Sequence, residues 1–238
     1  MSSEIDLSQL DLVRLEIETL WETDRDGQLL HARTPKRWPA PLCVVAATTM
    51  GLCAATRHDV SPEDDAEIRR LVEQERHQVL EVGWQPDCAS EILNLLAENH
   101  LVADEKTGPT YVLAAPPNPA TDVVLRTSET GVSASVWSTM PSEDRDLAAP
   151  WVVAIVEGRV AAVCETARSA RRAVEAGVWT YPDFRRSGLA TAVVAAWARL
   201  VDRRVVFYST DAANLASQAT AVRAGALPLA QMWLLPSG

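Results

Sequence analysis

The chain has 238 residues, 47% of them hydrophobic and 23% charged, which suits one large domain or two small ones and excludes a disordered chain. Its formal net charge of −10 argues against a nucleic acid or an anionic membrane as partner. The four cysteines (Cys43, Cys53, Cys88, Cys164) form no CxxC and Met1 to Asp11 is too polar for a secretory leader, so a cytoplasmic protein with reduced thiols is expected.

Residues 7–21 set Leu10, Val13, Ile17 and Trp21 at helical spacing among charges, which predicts an amphipathic helix. Asp24-Arg25-Asp26-Gly27 reads as a turn before a strand at 28–33. It lacks the alternating ligands and distal glutamate of a calcium loop. Leu42 to Ala47 and Leu52 to Arg57 read as a hairpin around Met50-Gly51. The uncharged run Leu42 to Thr56 is short for a membrane span and holds Thr48, Thr49 and Gly51. Ser61-Pro62-Glu63-Asp64 carries the cap and first-position proline of a helix running to about Val79. A second helix is expected over 89–99 and a strand over 110–114.

Three prolines within Ala115-Pro116-Pro117-Asn118-Pro119 can sustain neither helix nor ladder, and the domain junction is placed there. Charge changes across it. Residues 1–119 hold 10 Lys plus Arg against 21 Asp plus Glu, while residues 120–238 hold 12 Arg against 11 acids. The expectation is an acidic, smaller α+β domain over 1–115 followed by a second domain over 120–238.

That second domain starts with a strand at 123–127 and a segment around Trp137 and Met140 whose periodicity decides nothing. A hairpin about Glu157-Gly158 joins strands 151–156 and 159–164. A strand over 171–180, a helix over 188–201, a strand over 205–210, a helix over 213–224 and a strand over 229–235 complete it. This order implies an α+β (three-layer α/β) fold, a mixed sheet with helices on its faces. His31, His58, His77 and His100 are dispersed without metal spacing, so no metal is expected.

The most informative stretch runs from Val178 to Ala190. Val178 and Thr180 alternate as a strand requires, Pro182 ends it, and apolar residues recur at helical spacing from Ala190. Between them, Arg185-Arg186-Ser187-Gly188-Leu189-Ala190 places two arginines and backbone N–H groups at a helix N-terminus. That is an anion site, best suited to a pyrophosphate. It is neither GxxxxGK[ST] nor GxGxxG.

This segment resembles motif A of the GCN5-related N-acetyltransferases, Arg/Gln-x-x-Gly-x-Gly/Ala after a short strand. Asn214, Ser217 and Gly225, spread over the following strand and helix, resemble motif B. The likeness covers 175–226 and extends to about residue 150. It implies acetyl-CoA as donor: backbone groups of Val178 and Thr180 on the pantetheine arm, Arg185, Arg186, Ser187, Gly188, Leu189 and Ala190 around the pyrophosphate, and Asn214 on the arm. It also implies an oxyanion-stabilising N–H at or near Val178.

The family's tyrosine seven residues after the asparagine is here Ala221. Tyr208 and Ser217 are the hydroxyls available to replace it as general acid, and Glu175, ahead of Glu165, is the candidate base. Arg168, Arg171 and Arg172 read as a solvated turn, Cys164 as strand packing, and Trp179 and Trp197 as core. The expected function is acetyl transfer to a primary amine of a small molecule or protein. The alternative is a weak or inactive acyl-CoA-binding regulator or scaffold. The oligomeric state stays open, a homodimer included.

Overall fold

Side-chain oxygens start the first two helices. In the computed structural model, which describes residues 7–75, 81–113, 123–201 and 203–238, the Asp11 N–H donates to Ser8 Oγ (3.2 Å) and the Asp64 N–H to Ser61 Oγ (3.1 Å). Each satisfies an N–H that the first helical turn cannot pair. α1 (Gln9–Leu20) and α2 (Pro62–Gln74) follow. The expected end of α2 near Val79 and the proline-rich junction at 115–119 lie outside the described residues. Trp21, expected to close α1, opens strand β1 (Trp21–Thr23), paired with β2 (Leu29–Ala32). The turn between them is held by Asp24 Oδ1, which accepts from the N–H groups of Asp26 and Gln28, both at 2.9 Å.

The remaining elements are β3 (Cys43–Thr48), β4 (Gly51–Thr56), α3 (Ala89–Ala97), β5 (Lys106–Leu113), β6 (Val124–Thr127), α4 (Ala134–Trp137), β7 (Trp151–Val156), β8 (Arg159–Ser169), β9 (Ala173–Thr180), α5 (Leu189–Ala198), β10 (Val205–Ser209), α6 (Leu215–Arg223) and β11 (Ala226–Leu235). They divide into two units. The first comprises Met1–Tyr111, Ser209–Leu215 and Pro228–Gly238, the second Val112–Tyr208 and Ala216–Leu227. Where sequence suggests consecutive domains, 1–115 and 120–238, the first unit thus takes in two later segments.

In the first unit the sheet order is β4-β3-β11-β5. β11 pairs antiparallel with β3, Gln231 opposite Ala47 through Leu235 opposite Cys43. Its core joins Leu42, Val45, Ile68, Ile92 and Leu96 to Trp233 and Leu235. The segment after β10 belongs here because the Ala212 N–H donates to the Thr107 carbonyl at 2.9 Å.

In the second unit the order is β10-β9-β8-β7-β6. β10 runs parallel to β9 and the other pairs are antiparallel, so the sheet is mixed. A tight hairpin joins β7 and β8 through Glu157 and Gly158, both at positive φ. α5 is apolar nearly all round and buried accordingly. Its Trp197 Nε1 donates to the Pro150 carbonyl (2.8 Å) and to Thr166 Oγ1 (3.3 Å), which seats the helix on the sheet face carrying Thr166. The opposite face holds Val153, Val163 and Trp179, packed with Met140, Trp137 and Leu147. The segment of undecided periodicity supplies that second layer.

Candidate functional site

β9 is paired on both sides for only part of its length. Its parallel register with β10 covers Val205–Ala173, Val206–Val174 and Phe207–Glu175. The antiparallel register with β8 continues through Gly177–Glu165, Val178–Cys164 and Thr180–Ala162. From Ala176 onward β9 therefore presents one edge to β8 and has no partner from β10 among the described residues. Strand edges left this way offer N–H and C=O groups to a ligand.

At the end of that edge the chain turns sharply. Pro182–Phe184 forms one 3-10 turn, closed by Phe184 N–H to the Tyr181 carbonyl at 2.9 Å. The turn is fastened to β8, since Tyr181 N–H donates to the Ala161 carbonyl (3.0 Å) and Arg159 lies 5.2 Å from the Phe184 ring centroid. Arg159 also pairs with Asp183 at 3.5 Å. Arg185 Nε reaches back to the Thr180 carbonyl (3.3 Å), and Ser187 Oγ donates to the Phe184 carbonyl.

Arg186 and Gly188 both sit in the left-handed region, at φ 60° and 79°. Arg186, with its Cβ, is strained there. Positive φ values at such spacing are the kind that let successive N–H groups converge on an anion.

Three observations suit this turn to an anionic ligand. A Cβ built on Gly188 meets no atom within 4 Å, so the space in front of the turn is open. α5 has no side-chain cap, leaving the first-turn N–H groups of Leu189, Ala190 and Thr191 without partners among the described residues. Thr180 Oγ1 is buried and unpaired at the strand end. Arg185 and Arg186 are exposed beside this space and supply positive charge.

Residues 151–225 match the family model for GNAT acetyltransferases. That segment belongs to the GNAT acetyltransferase family. Among solved structures, the chain resembles a GNAT-family acetyltransferase from Colwellia psychrerythraea (14% identity, 64% of this chain and 63% of that one, TM-score 0.42). It resembles a GCN5-related N-acetyltransferase from Kribbella flavida at 16% identity, over 61% of this chain and 63% of that one, with TM-score 0.43. A third, a GCN5-related N-acetyltransferase from Sphaerobacter thermophilus, is 17% identical over 98% of this chain and 86% of that one, with TM-score 0.46. The chain thus spans less than two thirds of the first two. No curated protein matches it.

Within the GNAT segment the proposed catalytic side chains separate. Tyr208 is buried in β10 and its hydroxyl lies 2.8 Å from Ser217 Oγ on α6, so these two are brought together. Glu175 is not with them. It is in register with Phe207, and strand alternation sends the adjacent Tyr208 to the opposite face. Glu175 is only 2% exposed and is ion-paired with Arg168 Nη1. Expected as an available base, it is instead committed to a guanidinium. Arg168, expected in a solvated turn, is half-buried by the same pair, whereas Arg171 and Arg172 are exposed.

The pair forms because β8 carries a bulge between Thr166 and Arg168, which brings Arg168 opposite Glu175. Gly177 is needed beside that bulge. A Cβ there would lie 2.9 Å from Ala167 Cβ.

Glu165, the other acidic candidate, lies opposite Gly177 and accepts a hydrogen bond from the Ala148 N–H at 2.7 Å. Burial raises its pKa above the ordinary 4.5, against the lowering by that N–H, and nearby Asp146 adds to the rise. Cys164 is buried in β8, and burial, then Glu165, pushes its thiol well above 9.0, which suits packing and not nucleophilic attack. Ala221 is fully buried in α6. Asn214 falls in the first unit, where its N–H donates to the Asp211 carbonyl at 3.0 Å. Among the described residues no group of three or more His, Cys, Asp and Glu could hold a metal, and no helix is long and apolar enough to cross a membrane.

Proposed function

We propose that this protein transfers an acetyl group from acetyl-CoA to a primary amine of a small molecule or a protein, in the cytoplasm and away from nucleic acid and membrane. The observation that carries the reading is the turn Arg185–Ala190, with Arg186 and Gly188 at positive φ and uncapped N–H groups, at the end of the half-paired edge of β9. In this reading the turn cradles the pyrophosphate and Arg185 and Arg186 neutralise it. The β9 edge from Gly177 to Thr180 receives the pantetheine arm by backbone hydrogen bonds. A backbone N–H at or near Val178 stabilises the oxyanion formed on attack.

The donor supplies an activated acyl group on a thiol leaving group. What remains for the protein is alignment of the amine, removal of its proton and stabilisation of the oxyanion. The Tyr208–Ser217 hydroxyl pair supports a route by which a proton reaches the leaving sulfur.

Thiol release from acetyl-CoA across a panel of primary amines tests this, with CoA binding measured separately by calorimetry. The expected result is amine-dependent release. Tight CoA binding without release over the whole panel would favour the second reading, an acyl-CoA-binding regulator. Buried Ala221 at the usual tyrosine position and Glu175 tied to Arg168 are the observations that support that alternative.

A further inference from the structure

We propose that Glu165 and not Glu175 takes the proton from the attacking amine. This rests on the acetyl-transfer reading above. Glu165 is the cross-strand partner of Gly177, the residue before Val178, where β9 has already lost β10. Gly177 has no side chain, and the Glu165 Cγ lies 3.5 Å from where a Cβ would be. The stem of Glu165 thus lies over the Gly177 backbone. Its carboxylate is fixed by the Ala148 N–H at Oε2, while Oε1 makes no hydrogen bond among the described residues.

Two further features separate the carboxylates. Glu165 is partly exposed, so it can return its proton to water after each turnover. Glu175 is buried and would have to break its pair with Arg168 to do the same. The surroundings of Glu165 also strengthen it as a base, since burial and Asp146 disfavour its charged form. Asp144, hydrogen-bonded to the Tyr181 hydroxyl at 2.8 Å, also lies on the segment that covers the sheet face bearing Glu165. Arg145 of that segment is turned away onto the Met140 and Ser138 carbonyls. Arg168 is held by Glu175. Beside Glu165 on this face, Trp151 is its β7 partner and Trp179 lies two residues beyond Gly177, and both rings pack against the Met140 layer.

The protons balance as follows. Glu165 accepts one proton from R–NH3+, and the freed lone pair attacks the thioester carbonyl. The C–S bond breaks with its electron pair on sulfur, and a second nitrogen proton passes to the thiolate. The products are the amide and the free thiol, and Glu165 releases its proton to solvent.

The test compares the parent, Glu165→Gln and Glu175→Gln in kcat against pH with an active amine, with CoA Kd as the check on folding. Glu165→Gln can still accept from Ala148. It should bind CoA like the parent, lose about 100-fold or more in kcat, and lose the rise of kcat with pH, whose midpoint in the parent lies above 4.5. Glu165→Asp should recover part of the rate. Glu175→Gln should keep the rising limb. Parent-like kcat and pH profile in Glu165→Gln overturn the inference alone, as does loss of the limb in a Glu175→Gln that still binds CoA. A parent that binds CoA and acetylates no amine overturns both the inference and the reading beneath it.

Discussion

Replacing Gly188 by alanine separates the cost of a backbone conformation from the cost of filling a ligand's space. Gly188 has φ 79° and ψ −2°, and a Cβ there touches nothing within 4 Å. The protein should therefore lose only the left-handed penalty, about 1 kcal/mol, or a Tm drop of about 2–4 °C for a chain of this size. The new methyl stands in the open space before the uncapped N–H groups. One charge-assisted hydrogen bond lost to a phosphate is worth about 1.5–3 kcal/mol, so CoA should bind about 10- to 100-fold more weakly.

Gly177→Ala is the contrast. Its Cβ would meet Ala167 Cβ at 2.9 Å, so overpacking should cost about 1–3 kcal/mol. It should lower Tm more, with less effect on the CoA affinity of the folded protein. Calorimetric titration with CoA and thermal unfolding of both variants decide the matter. A folded Gly188→Ala variant with the parent's CoA affinity would refute the assignment of the turn to the pyrophosphate.

Trp197→Phe removes the donor to Pro150 O and Thr166 Oγ1 beneath α5. It should cost about 2 kcal/mol in urea unfolding, and an unchanged midpoint would mean that these bonds contribute nothing. Burial raises the Cys53 thiol to about 11 from 9.0. At pH 8 its thiolate population is then about 100-fold below that of an ordinary thiol, and its alkylation rate should climb tenfold per pH unit until near that value. The hydrogen bond from Arg57 holds the Asp59 carboxyl below its ordinary 3.8. A carboxylate whose folded pKa is depressed stabilises the fold above the unfolded value and stops doing so as pH falls through the folded one. The difference in urea midpoint between parent and Asp59→Asn should thus be present at pH 7 and shrink below about pH 3.8.

The turn from Val178 to Ala190 was legible because each of its signals is local: alternation, Pro182 as stop, and a glycine where φ is positive. The same holds for Ser61, which caps α2 where its spacing places it. The Arg168–Glu175 pair was not legible. It depends on the bulge at Ala167, and a one-residue offset between strands leaves no mark in either strand's own pattern. β5 begins at Lys106, four residues before the expected start, because tertiary pairing overrides the weak strand preference of Gly108 and Pro109. The strand at 229–235 was recognisable as a strand, but nothing in its residues names Cys43 to Ala47 as its partner.

That last pairing bears on how the protein is made. A ribosome delivers Cys43–Thr48 roughly 185 residues before Trp233, an interval of about 10–40 s at ordinary elongation rates. Throughout it the nascent first unit lacks the strand that lies between β3 and β5 and the Trp233 and Leu235 side chains of its core. Its β3 edge stays open to other chains while the second unit's strands emerge. Completion from the far end makes vectorial synthesis, more than final stability, the stage at which the β3 edge is most open to pairing with other chains.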